Sequence, residues 1–108
     1  MGQVFAVIRS QSKNWNNSQP LEAQQNWRAH AEFMVALEAD GFVVLGGPLE
    51  GTEDVLLIIR AENTEQIESR LAADPWTKQE MLKISRIVPW NVRLGRWILE
   101  RIYLTRSH

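Results

Sequence analysis

The chain has 108 residues, of which 44% are hydrophobic and 23% charged, a balance typical of a folded globular protein rather than a disordered one. A chain of this length fits one compact domain with one hydrophobic core. The net charge of −1 excludes a general attraction of the whole molecule to nucleic acid, and the absence of cysteine excludes disulfides, thiolate nucleophiles and cysteine-bound metals.

The first predicted element is a buried strand at residues 4–8, where an apolar, β-branched and aromatic run meets a polar stretch. A loop then leads to Pro20. From Pro20 to Asp40, apolar residues recur at three- and four-residue spacing, which predicts an amphipathic helix of about five turns. The stripe that should face the core consists of Trp27, His30, Ala31, Met34 and Leu37. Gly41 suits the left-handed position that often follows a helix.

Two further strands are predicted at residues 42–45 and 55–59, joined by a loop that contains three glycines and a proline. This pattern favours a hairpin. Asn63 or Thr64 can cap a second helix, which should end shortly before Pro75.

A short helical turn is expected within residues 75–81, and residues 83–90 predict a fourth strand. The strand should place Ile84, Val88 and Trp90 on one face. Residues 93–108 fit a helix as well as a strand, and their isolated arginines favour a solvated or partner-docking tail over a nucleic-acid or membrane patch.

The order of these elements, β-α-β-β-α-β, predicts an α+β ferredoxin-like domain with a four-stranded antiparallel sheet and helices on one face. The first and third strands are apolar at consecutive positions, whereas a sheet with one wet face should alternate. The second face should therefore be covered. A second copy of the chain, in a homodimer with stacked sheets, is the simplest cover.

The most informative residue is His30, because an imidazole on the core-facing stripe of a helix needs a partner. Asp74, directly before Pro75, is the expected partner. If the two touch, His30 can act as a general base or acid and Asp74 can fix its tautomer. The alternatives remain a hydrogen-bonded, inert core histidine and an aspartate that only ends a helix.

Six other residues are candidates for a small-molecule site. Trp27, Trp76 and Trp90 could wall a pocket for a flat or apolar ligand, or simply pack in the core. Gly47 and Pro48 indicate a tight backbone bend beside a cavity, since the segment lacks the lysine and glycine spacing of phosphate loops. Arg9 could anchor a substrate carboxylate or lie at the surface. The sequence offers no recognisable set of metal ligands.

Together these residues resemble a known family. The pattern consists of Trp27-x-x-His30 with Phe33, Met34 and Leu37, then Gly41, Gly46-Gly47-Pro48, the strand at 55–60, Asp74-Pro75-Trp76 and Val88-Pro89-Trp90. It is similar to the YCII-related (YciI-like) domain over about residues 3–92. The resemblance implies a dimeric α+β barrel of ferredoxin-like subunits, related to muconolactone isomerases, with a histidine–aspartate site at His30 and Asp74. It divides the chain into a YCII-like domain, 1–92, and a basic C-terminal extension, 93–108, that should pack on the same domain or its dimer partner.

The leading hypothesis is a small, cofactor-independent enzyme of the isomerase, lyase or dehydrohalogenase type. It would act on a small organic acid or an aromatic breakdown product, with His30 moving the proton and Asp74 orienting it. The alternatives are a non-catalytic, small-ligand-binding or accessory dimeric module, and a structural dimer whose tail recruits a partner. We expect a cytoplasmic homodimer that binds a small organic molecule, without a membrane span or a nucleic-acid partner.

Overall fold

The computed structural model describes residues 2–95. The strands are β1 (Gln3–Gln11), β2 (Val43–Pro48), β3 (Asp54–Ala61) and β4 (Leu82–Pro89). The helices are a 3₁₀ turn (Leu21–Ala23), α1 (Trp27–Ala39), α2 (Thr64–Ala72) and α3 (Pro75–Lys78). No helix within residues 2–95 is long and apolar enough to cross a membrane. Most of the extension predicted at 93–108 lies outside the described residues, so its packing stays a prediction.

The four strands form one antiparallel sheet in the order β2-β3-β1-β4. The central strand β1 pairs Val7 with Leu57 of β3 on one side and with Ile87 of β4 on the other. An apolar and β-branched sequence suits a strand that is paired along both edges. The predicted α+β, ferredoxin-like arrangement is confirmed.

The main core lies between the sheet and the two longer helices. Its buried residues include Phe5 and Val7 of β1, Leu57 and Ile59 of β3, Leu37 of α1, and Ile67 and Leu71 of α2. Burying one such side chain contributes about 1.5–3 kcal/mol relative to leaving it in water. Because α2 has only nine residues, this packing rather than helix propensity holds it in place.

Helix α1 begins later than the sequence pattern predicts. It starts at Trp27, after Asn26, which has a left-handed φ of 61° and no side-chain cap. The side chain of Gln24 is buried and binds the backbone of Asn16, accepting from its N–H at 3.0 Å and donating to its carbonyl at 2.7 Å. These contacts hold the preceding segment as a loop and a 3₁₀ turn, so the predicted helix start at Pro20 was wrong.

The other predicted helix ends are confirmed. Asn63 rather than Thr64 caps α2, since its Oδ1 accepts a hydrogen bond from the N–H of Gln66 at 2.8 Å. Gly41, just beyond α1, has the left-handed φ of 85° that the sequence suggests. The short helical turn after Pro75 is α3.

Strand β4 carries one extra residue, Ser85, where the register against β1 shifts between Ile8 and Arg9. A bulge of this kind changes which face the following side chains occupy. Ile84 therefore packs against the core under the helices, whereas Val88, opposite Ala6, lies on the other face. The prediction that Ile84 and Val88 share a face was wrong.

The second face of the sheet is also apolar. Val4 and Ile58 are buried there, and Val92, which follows β4, packs against them. Leu45 and Trp90 stay largely exposed. The segment after β4 thus covers part of this face, and the stacked homodimer remains a prediction.

Candidate active site

Asp74 occupies the start of α3, two residues after the end of α2. Its Oδ1 accepts a hydrogen bond from the N–H of Trp76 at 2.9 Å, and Pro75 fills the first helical position, where a missing N–H costs nothing. The aspartate is fully buried. It therefore begins a helix rather than ending one, and the local sequence Asp-Pro-Trp fixes its carboxylate inside the protein.

The predicted contact between His30 and Asp74 is present. The Nδ1 atom of His30 lies 2.9 Å from Oδ2 and 3.0 Å from Oδ1 of Asp74. Since an ionised carboxylate can only accept, Nδ1 carries the proton, and the lone pair of neutral His30 is on Nε2. Nε2 forms no hydrogen bond with residues 2–95, and the side chain is 11% exposed at the wall of a cavity.

Arg9 completes a buried polar network that the sequence did not predict. One terminal nitrogen, Nη1, donates to Oδ2 of Asp74 at 2.9 Å, and the other, Nη2, donates to Oγ1 of Thr77 at 2.6 Å. Thr77 in turn donates to the carbonyl of Leu71 at 2.8 Å. The Arg9 side chain is 1% exposed, so the alternative of a surface arginine was wrong. One signal could have revealed it, because Phe5, Val7 and Arg9 alternate along β1 toward the core.

Charge and burial act in opposite directions on Asp74. Burial favours the neutral acid and by itself would raise the pKa of this carboxyl. The hydrogen bonds and charge of His30, the N–H of Trp76 and the guanidinium of Arg9 outweigh burial and hold the pKa of Asp74 below its ordinary value of 3.8. Asp74 is therefore ionised at neutral pH.

The imidazole plane is fixed by aromatic packing. The rings of His30 and Trp76 stack with centroids 3.8 Å apart and planes 8° apart. Trp76 is fully buried and its Nε1–H donates to the carbonyl of Gln25 at 2.7 Å. Trp27 lies beside both rings, and its ring centroid is 6.0 Å from that of His30 and 5.8 Å from that of Trp76. This packing leaves the imidazole little freedom to turn away from Asp74.

A cavity of about 300 Å³ opens between α1 and the edge strand β2. Of the predicted site residues, six line it, namely Arg9, Trp27, His30, Gly47, Pro48 and Trp76. Asp74 does not line it and is held behind His30. Trp90 does not line it either, so its predicted place in the wall of this cavity was wrong. The lining is mostly apolar, which suits a small organic ligand.

Several lining residues were not predicted. Trp15 and Leu21 come from the loop before α1, and Met34 and Glu38 follow His30 at four-residue intervals on α1. That interval was the available signal for Glu38, because it continues the stripe of His30 by two turns. Gly46, Gly47 and Pro48 line the cavity as the end of strand β2, so the predicted loop with a tight bend at this point was wrong. A Cβ on Gly46 would lie 2.7 Å from Cδ2 of Leu57.

Residues 5–91 match the family described as the YCII-related domain. The chain belongs to this family. The match confirms the resemblance drawn from the sequence and covers nearly the whole predicted span.

Two solved structures are similar to this chain. One is 5-chloro-2-hydroxyhydroquinone dehydrochlorinase from Burkholderia phenoliruptrix AC1100, in complex with 2,5-dihydroxybenzoquinone. It is 22% identical, with a TM-score of 0.58 over 86% of this chain and 96% of that chain. The other is the structural-genomics protein YjcS, 14% identical, with a TM-score of 0.47 over 86% of this chain and all of that chain. No curated protein matches the chain.

Side chains that could bind a metal ion are not clustered among the described residues. Within residues 2–95, no group of three or more histidine, aspartate or glutamate side chains could hold a metal ion. At the wall of the apolar cavity, the described residues place one imidazole backed by an ionised carboxylate.

Proposed function

We propose that the protein is a small enzyme that transfers a proton with His30 and belongs to the isomerase, lyase or dehydrohalogenase type. Its substrate would be a small organic acid or an aromatic breakdown product bound in the 300 Å³ cavity. The observation that carries the proposal is the position of His30, whose Nδ1 is held by buried Asp74 while the ring borders the cavity.

Each member of the network would have one task. Nε2 of His30 would accept a proton from the substrate, and Asp74 would stabilise the imidazolium that forms. Arg9 would keep Asp74 ionised and in place, since its guanidinium is bound to that carboxylate. Gly47 and Pro48 would shape the opposite wall.

Two outcomes of proton abstraction fit this arrangement. If the imidazolium returns the proton to another atom of the substrate, the reaction is an isomerisation. If the electron pair released by deprotonation expels a leaving group such as chloride, the reaction is an elimination. The Burkholderia neighbour is a dehydrochlorinase with a bound dihydroxybenzoquinone, which makes elimination from a ring compound the first reaction to test.

The decisive experiment is a substrate screen with wild-type protein and the variant His30→Gln. Glutamine is close to histidine in length and polarity but cannot act as a base at neutral pH. We expect the turnover rate to fall by about 10²–10⁴-fold. Glu32→Gln, an exposed change on the same helix, is the matched control and should keep full activity. Full activity of His30→Gln, with unchanged circular dichroism, would refute the proposal.

A ligand-binding or accessory module is the second candidate. The lining of the cavity favours this candidate. Most of the described wall residues are apolar, and at the inner end His30 is the one described side chain placed to exchange a proton. Calorimetry that finds tight binding of a metabolite, without conversion under any tested condition, would support this candidate. Turnover that depends on His30 would exclude it.

We further propose that two copies associate through the second face of the sheet. Support comes from the apolar side chains of this face, including exposed Leu45 and Trp90. Light scattering coupled to size-exclusion chromatography should give the mass of a dimer at micromolar concentration. A monomer under these conditions would contradict the proposal.

A further inference from the structure

Three ionisable side chains line the cavity within the described part of the chain, namely Arg9, His30 and Glu38. Both terminal nitrogens of Arg9 already donate to Asp74 and Thr77, and its Nε, which has no hydrogen-bond partner among the described residues, is buried away from the cavity space. The guanidinium therefore presents no exposed donor to an anionic ligand. Its positive charge is balanced by the negative charge of Asp74. The unbalanced charge that faces the cavity is therefore the carboxylate of Glu38.

Glu38 lies on the solvent side of the cavity. One face of α1 carries His30, Met34 and Glu38 at four-residue spacing. His30 and Glu38 are therefore about 12 Å apart along the helix axis. Glu38 and the neighbouring lining residue Val35 are both exposed. Glu38 forms no ion pair with residues 2–95, so its carboxylate is available to a ligand.

The wall between these two ends is apolar. Met34 and Pro48 lie along it, and the rings of Trp27 and Trp76 surround His30. An anionic ligand would lose its hydration here without meeting a free cation, and it would be repelled by Glu38. An uncharged ring with a hydroxyl group would avoid both costs and could donate a charge-assisted hydrogen bond to the glutamate.

We propose that the cavity selects an uncharged, hydroxylated aromatic compound and that Glu38 determines this specificity. Glu38 accepts a hydrogen bond from a ring hydroxyl and repels carboxylates. The separation of about two helical turns between His30 and Glu38 accommodates a single substituted ring with a hydrogen bond at each end. The inference rests on the proposed function, which places the substrate in this cavity. Of the two proposed substrate classes, it favours an aromatic breakdown product over a small organic acid.

The test compares two probes of matched size, 4-hydroxybenzamide, which is neutral, and 4-hydroxybenzoate, which is an anion. Their dissociation constants are measured with the full-length protein by isothermal titration calorimetry at neutral pH and low salt. We expect the wild-type protein to bind the amide about tenfold more tightly than the carboxylate, because charge-assisted hydrogen bonding and repulsion act in the same direction.

The variant Glu38→Gln should reduce this preference to about threefold or less, since it keeps the shape of the side chain but removes the charge. Glu32→Gln removes the same charge from an exposed position of α1 that does not line the cavity, and it should leave the preference at its wild-type value.

Equal affinity for the two probes, tighter binding of the benzoate, or a preference unchanged in Glu38→Gln would overturn the inference. Failure of both probes to bind at millimolar concentration would overturn it as well. The affinity ratio does not depend on turnover, so it can be measured in His30→Gln. A normal ratio together with full activity in that variant would refute the proposed proton transfer and leave the specificity of Glu38 supported.

Discussion

The two ends of the cavity are built in different ways. At the inner end, the carboxylate of Asp74 receives hydrogen bonds from His30, Arg9 and the backbone of Trp76, and Asp74 and Arg9 are almost completely buried. At the mouth, Glu38 is exposed, and the facing wall is the short edge strand β2. Changing one group of the inner end leaves another unsatisfied, whereas the exposed side chain of Glu38 can change with little effect on the fold. In the proposed function, proton transfer and substrate choice are thus assigned to opposite ends of one cavity.

Among the changes at the inner end of the cavity, we expect the variant Arg9→Met to destabilise the protein most. It leaves the buried charge of Asp74 without its cationic partner, and we expect the free energy of unfolding to fall by about 3–5 kcal/mol. Urea denaturation measures the change. Arg70→Met is the matched control, because Arg70 pairs with the exposed Asp40 at the surface, and its loss should cost no more than about 1 kcal/mol. Equal losses in the two variants would show that the network does not stabilise the fold.

Lowering the pH should reduce the free energy of unfolding by a smaller amount. The pKa of Asp74 is lower in the folded protein than its ordinary value of 3.8, because the donors around it outweigh its burial. The folded protein therefore gains stability from ionised Asp74 above about pH 4, and this gain is lost as the pH falls through the lowered value. Urea denaturation from pH 6 down to pH 3 should show a steeper loss for wild type than for Asp74→Asn.

Asp40→Asn provides the control for this pH series. The pKa of Asp40 is also lowered, chiefly by its hydrogen bond to Arg70, but that pair is exposed to solvent. The variant should therefore keep most of the acid sensitivity of wild type. If Asp40→Asn removed as much of the pH dependence as Asp74→Asn, the acid response would not come from the inner end.

The smallest effects are expected at the mouth, where two adjacent glycines give a matched pair. A Cβ on Gly46 would lie 2.7 Å from Cδ2 of the buried Leu57, so Gly46→Ala should lower the free energy of unfolding by about 1–2 kcal/mol. A Cβ on Gly47 would meet no described atom within 4 Å, and Gly47→Ala should change stability by no more than about 0.5 kcal/mol. Chemical denaturation of both variants checks the difference. A larger loss for Gly47→Ala would contradict the packing described for β2.

The sequence predicted the sheet, the order of the helices and the contact between His30 and Asp74, because each leaves a local signal. Alternation and apolar runs mark the strands, and an imidazole on a core-facing helix stripe indicates that a polar partner lies nearby. Asp74 was expected to end a helix, whereas the structure places it at the start of α3. The bulge at Ser85 leaves no such signal, since neither glycine nor proline stands there. The late start of the predicted long helix depends on Gln24 binding the backbone of Asn16, which no spacing rule describes.

The burial of Arg9 shows where local patterns fail at the site. An arginine at the end of a strand is usually solvated, and only its place after Phe5 and Val7 indicates an inward position. Its partners, Asp74 and Thr77, are brought beside it by the tertiary fold alone. The same holds for Glu38, whose place on the cavity wall depends on β2 lying opposite α1.

The positions of the network in the chain have a consequence for folding. Asp74 binds Arg9 across 65 residues of sequence and His30 across 44, so the proposed proton-transfer site joins an early strand, the first helix and a late turn. Contacts of such long range close only after large loops have been ordered. No short fragment of the chain can assemble the site, and recovery of the His30–Asp74 hydrogen bond during refolding should coincide with completion of the whole sheet.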